Sequence, residues 1–174
     1  MANTYQLISS VTVGSGGAAS ISFTSIPATY TDLVVLVSAR SARTIEPRDE
    51  LHIRFNSDSG NNYSNRILQG NASSSGSGGG SAQNYLKKGT IPAAGATANT
   101  FSNNLIYIPN YAGSTVKSVS RDEVTETNSA TNNYLELQAG LWSGTSAITT
   151  ITFTCEVSTF VEYSTAYLYG ISNA

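Results

Sequence analysis

Charge, histidine and cysteine are all scarce in this chain, and each scarcity closes a class of function. Only 11% of the 174 residues are charged and the net charge is −2, so no basic patch is available for nucleic acid or an anionic membrane. A single histidine, His52, excludes metal sites built on two imidazoles, and no GxSxG-type elbow offers a nucleophile for it to activate. A single cysteine, Cys155, excludes a disulfide framework and a multi-cysteine zinc site. In ITFTCEV it shares strand parity with Ile151, Phe153 and Val157, which places it in the core as an inert thiol. No run of ~18 apolar residues exists to form a spanning helix. The opening MANTYQLISSVTV has neither the basic start nor the continuous apolar stretch of a secretory signal, so the chain is expected to be made in the cytoplasm and to stay soluble unless assembled into a larger particle.

What the chain does have is Ser, Thr, Asn and Gly between short apolar alternations. The organising stretch is Thr31 to Ser64. Leu33, Val35, Val37 and Ala39 fall on one side of a strand and Val34 and Leu36 on the other, a pattern that asks for cover on both faces. In the following strand Leu51, Ile53 and Phe55 alternate with His52, Arg54 and Asn56, one face for the core and one polar. Between them, Arg40, Arg43, Glu46, Arg48, Asp49 and Glu50 gather around Pro47, a solvated corner or a polar contact between subunits. After them, NSDSGNNYS carries turn chemistry, with Gly60 free to go left-handed. One carboxylate and no closing acid make it a turn, not a calcium loop.

Elsewhere Tyr5 to Val13 and Ala18 to Ile26 read as a hairpin about Gly14 to Gly17, closed by Pro27. The segment at about 70–83 is low-complexity Gly and Ser and reads as a flexible excursion. RDEVTETNSATNN reads as a polar reversal. In YLELQAGLW, Leu135, Leu137, Ala139 and Leu141 alternate against Glu136, Gln138 and Gly140, which favours a strand over a helix. The last strand sets Tyr163, Thr165, Tyr167, Tyr169 and Ile171 on one face, an amphipathic stripe suited to a sheet edge or an interface. About nine or ten strands with short turns predict an all-β fold, an antiparallel two-sheet sandwich of jelly-roll type, with residues 1–174 as one domain.

Chemistry is thin. His52 reads as an exposed strand histidine, and Asp122, Glu123 and Glu126 as solvated loop acids unsuited, with Glu136, to a two-carboxylate glycosidase. Lys87 and Lys88 read as a solvated pair, and the glycines at 76 to 80 lack the Lys and helix of a phosphate cradle. No catalytic residue, cofactor or metal ligand is assigned. Trp142 is the one candidate binding platform, a ring for a sugar, unless it plugs the end of the sandwich.

SSVTVGSGGAASISFTSIPATYTDLVVLVSARS, IRFNSDSGNNYS, IYIPNYAGS and YSTAYLYGI together resemble a group of small β-rich virion proteins of tailed bacteriophages. The resemblance implies a non-enzymatic structural role on the virion after synthesis in the host cytoplasm. Two locations follow from it: a capsid cement or decoration protein, a homotrimer bridging subunits of the major capsid protein, or a tail or head fibre binding a host surface glycan. The chain lacks the heptads or repeats of a fibre shaft, which favours cement. The interface expected is Arg43, Arg48 and Asp49 of the charged corner, the segment Asn3 to Gln6, and Tyr167 and Tyr169. Trp142 serves the glycan alternative.

Overall fold

A computed structural model describes residues 4–71, 73–130 and 132–172. Among these residues there are twelve strands and no helix. They are β1 (Tyr5–Thr12), β2 (Ser20–Phe23), β3 (Asp32–Ser38), β4 (Arg48–Phe55), β5 (Tyr63–Asn71), β6 (Ser75–Gln83), β7 (Thr90–Pro92), β8 (Asn103–Ile108), β9 (Lys117–Thr125), β10 (Tyr134–Trp142), β11 (Ile151–Cys155) and β12 (Thr165–Ile171). Eight form one sheet in the order β1-β12-β3-β8-β9-β10-β5-β6, and four form a second in the order β2-β11-β4-β7, with antiparallel pairing throughout.

The two sheets share one apolar core. Leu33, Val35 and Val37 of β3 and Ile106 and Ile108 of β8 meet Leu51, Ile53 and Phe55 of β4 and Ile151 and Phe153 of β11. These are the period-2 positions that the alternation singled out, and burying each such side chain contributes roughly 1.5–3 kcal/mol before the cost of ordering the chain. Cys155 is buried there as expected, and burial, followed by the nearby Asp49 carboxylate, pushes its thiol up to about 12.

Several local expectations change. Twelve strands replace nine or ten: the two that alternation misses are β7, of three residues, and β6, made of SGSGGGSAQ. The Gly/Ser segment is not a loop but an edge strand laddered on β5. Glycine is required at its centre, because a Cβ on Gly79 would lie 2.3 Å from the Asn65 carbonyl oxygen. β1 and β2 are not a hairpin. The turn through Gly16 and Gly17, both at positive φ, carries the chain from the large sheet, where β1 pairs with β12, to the small one, where β2 pairs with β11. The NSDSGNNYS turn is present, but Asn56 and Ser57 take the left-handed φ in place of Gly60, while Asp58 accepts from the Gly60 amide (2.8 Å) and the Asn62 side chain (2.9 Å). Val157 lies beyond the end of β11 and is exposed.

Candidate interaction face and charged cleft

Along β9 and β10 the large sheet turns polar side chains inward and apolar ones outward. Along β10 the inward side chains are Glu136, Gln138, Gly140 and Trp142, and the outward ones are Leu135, Leu137, Ala139 and Leu141. Exposure reaches 59% for Leu135, 58% for Leu68 and 51% for Leu137. The strand assignment holds, but its leucines face solvent. Register joins them into a row running across six strands: Tyr167, Leu36, Leu105, Asp122, Leu137 and Leu68 are successive cross-strand neighbours. A second row alongside it reads Tyr169, Val34, Tyr107, Ser120, Ala139 and Arg66. Solvent-facing sheet surfaces are normally polar, and a row of exposed apolar side chains this wide, broken by Asp122, marks an interaction surface. β3 explains part of it: the strand is apolar on both sides, as the sequence indicates, yet the chain covers only the inner one completely, leaving Leu36 exposed.

The inward face of β9 and β10 is correspondingly polar. Arg121, among the largest fully buried side chains, donates to Asn104 Oδ1 (2.9 Å from Nε), to the Leu51 carbonyl (3.0 Å) and to the Lys88 carbonyl (3.2 Å), tying the two sheets together. Gly89 makes room for it: a Cβ there would lie 1.8 Å from the guanidinium. Glu123 contacts Arg121 at 2.7 Å without the alignment of a hydrogen bond. Burial pushes the Glu123 carboxyl up to about 8, outweighing the Arg121 charge. Glu136 accepts from the Thr90 amide (3.2 Å), and Gln138 donates to the Lys88 carbonyl (2.9 Å). Asp122 and Glu123 thus belong to a strand, not to a polar reversal, and Glu123 is fully buried.

The charged corner borders an open cleft of about 350 Å³ lined by Arg43, Arg48, Glu50, Lys88, Glu136 and Glu156 among others. His52 is buried, not exposed, with its ring stacked 4.0 Å from that of Tyr85. Its Nε2 lies 3.4 Å from Glu50, whose other oxygen accepts from Lys88 at 2.9 Å. Burial alone would raise the Glu50 carboxyl, but hydrogen bonds from His52 and Lys88 prevail and bring it to about 2. Glu50, His52 and Glu156 bring one ligand atom each within 4.8 Å of one another, a donor set able to hold a cation. Lys88 already supplies positive charge at that point.

The expected interface residues scatter. Arg48 is exposed, with its guanidinium 4.8 Å over the Tyr134 ring, and Arg43 reaches the Arg48 carbonyl at 3.3 Å, so both stay at the rim. Asp49 does not: it is 1% exposed, accepts from the Ser41 hydroxyl (2.6 Å) and the Glu50 amide (2.9 Å), and can touch no partner. Tyr167 and Tyr169 lie on the outer face of the large sheet. Thr4 to Gln6 are exposed, whereas Asn3 lies outside the described residues. Trp142 is no sugar platform. It is 3% exposed, packs against Phe55 and Tyr63, and donates its indole N–H to Asp58 at 2.7 Å. Sequence reasoning missed the outer leucines; the usable signal was parity, because Gly140 and Trp142 share a face with Glu136 and Gln138.

No protein-family model matches the chain, and no curated protein sequence matches it significantly.

Proposed function

We propose that this chain is a non-enzymatic structural protein of a tailed-phage virion, and that it decorates or cements the capsid by contacts with the major capsid protein. The observation that carries the reading is the uncovered apolar face of the large sheet, a surface suited to burial against protein. The resemblance to small virion proteins supplies the setting. The sandwich is further read as a jelly roll. β1-β12-β3-β8 and β2-β11-β4-β7 follow the alternating order of two four-stranded jelly-roll sheets, with β5, β6, β9 and β10 extending the first. The rim of Arg43 and Arg48 meets the shell, where opposite charges fix orientation. Several modest contacts per assembly then act together through effective concentration. The fibre reading loses its platform with Trp142 buried.

Immunogold labelling of intact virions with antibody against this chain tests the reading. Gold over the whole head is the expected result. Gold confined to the tail or a single vertex contradicts it, and Arg48→Glu particles that keep full occupancy remove the charged rim from the account.

A further inference from the structure

We infer that the outer face of the eight-stranded sheet is where two copies of this chain pack sheet against sheet, each Asp122 meeting the second copy's Arg66. The inference builds on the reading of this face as an assembly surface, and it names the occupant.

Four observations converge. First, the apolar row from Tyr167 to Leu68 is interrupted by one carboxylate, Asp122, which forms no ion pair among the described residues. A charge in such a row is costly to cover unless its cover brings a cation. Second, this face carries a cation of its own. Arg66 rests on the backbone carbonyls of Asn65 (2.7 Å) and Gly80 (3.2 Å) and forms no ion pair among the described residues.

Third, the register makes the two charges interchangeable. Asp122 is the neighbour of Leu137 on one side of β10, and Arg66 is the neighbour of Ala139 on the other. Their midpoint falls on β10 between Leu137 and Ala139. A two-fold axis in the interface plane crossing β10 there swaps the positions, so one operation forms two identical ion pairs. It also leaves Leu137 and its neighbour Leu68 beside the axis, each near its own copy.

Fourth, the sheet continues on both sides of that axis, with β8 and β9 on one and β5 and β6 on the other. Those four strands and β10, about 4.8 Å apart and about seven residues long, give roughly 550 Å² in projection, less than the ~800 Å² per partner of a standard interface, so the pair is a weak dimer that forms with rising concentration. The pair has two-fold symmetry in place of the threefold that the family resemblance implies.

The test is sedimentation equilibrium of the full chain at several concentrations, with thermal unfolding as the fold control. Wild type is expected to be dimeric. Leu68→Glu with Leu137→Glu is expected to be monomeric with its fold intact, because both side chains face solvent in the monomer. Asp122→Arg is expected to weaken the dimer by roughly 100-fold, and Asp122→Arg with Arg66→Asp to recover most of that loss. A wild type that stays monomeric overturns the inference, as does a double-glutamate or Asp122→Arg variant that dimerises like wild type. Gold on the head with a monomeric protein leaves the decoration reading standing and removes this one; a dimer with no gold on the head does the reverse.

Discussion

Leu137 stands opposite Asp122 in the β9–β10 ladder with both side chains turned to solvent, while the next pair along, Gln138 and Arg121, is buried between the sheets. At this end of the large sheet the usual arrangement of apolar inside and polar outside is reversed. The inner polar layer is tied into the fold by hydrogen bonds, and the outer apolar layer is free to serve assembly.

The reversal predicts opposite responses to substitution on the two faces. Leu135→Thr and Leu137→Thr are expected to change the stability of the monomer by no more than about 0.5 kcal/mol. Arg121→Ala, which strands Asn104 Oδ1 and the Leu51 carbonyl in the interior, is expected to cost about 3 kcal/mol or more. Urea unfolding below the concentration at which the chain associates measures both.

Glu123 makes stability fall on the alkaline side. Its folded pKa, about 8, lies above the ordinary glutamate value, so the native state holds a proton that the unfolded chain gives up. The resulting stabilisation is complete below the unfolded pKa and is lost as pH rises through about 8. Glu123→Gln is expected to flatten this decline in denaturant midpoints taken from pH 5 to pH 9. An unchanged slope in the variant would remove Glu123 as its source.

Glu50 acts with the opposite sign. Its folded pKa, about 2, lies below the ordinary value, so its contribution is present above the unfolded pKa and is lost as pH falls toward about 2. Lys88→Ala, which removes the 2.9 Å contact, is expected to move the acid midpoint of unfolding to higher pH. Circular dichroism across an acid titration reads the shift.

The Trp142–Asp58 pair fastens the turn after β4 to the end of β10. The indole N–H is the main reason the Asp58 carboxyl lies below its usual range. Asp58→Ala is expected to cost about 1–3 kcal/mol, and Trp142→Ala about 3–5 kcal/mol by cavity formation. Wild type and both variants are expected to show equally little response on a glycan array, since the ring is not presented to solvent.

The core was legible because it obeys simple periodicity. Leu51, Ile53 and Phe55, and Ile151, Phe153 and Cys155, alternate with polar neighbours and are buried as that alternation indicates. Strand pairing was less legible: nothing in Gly14 to Gly17 distinguishes a hairpin turn from a crossing between sheets. β6 could not be found by alternation because its one apolar side chain is Ala82; its ladder with β5 comes mainly from backbone pairing. The outer face was left unassigned for a physical reason. Period 2 reports that Leu135, Leu137 and Leu141 share a side, not which side is covered, and hydrophobicity alone favours the wrong one. Asp49 misled for a related cause, since residue type suggested contact with a partner whereas tertiary hydrogen bonds bury it, and of the two readings of Trp142 burial favours the plug over the platform.

The account stands most directly on whether the outer face is covered in the assembled protein. Leu137→Cys places a thiol at its centre, and Cys155, buried with its thiol pushed up to about 12, leaves that new position as the only reactive one. Maleimide labelling of Leu137→Cys is predicted to be slow at concentrations where the chain associates and fast on dilution, whereas the exposed Val157→Cys reacts fast at both. Equal, fast labelling of the two positions at every concentration would contradict it.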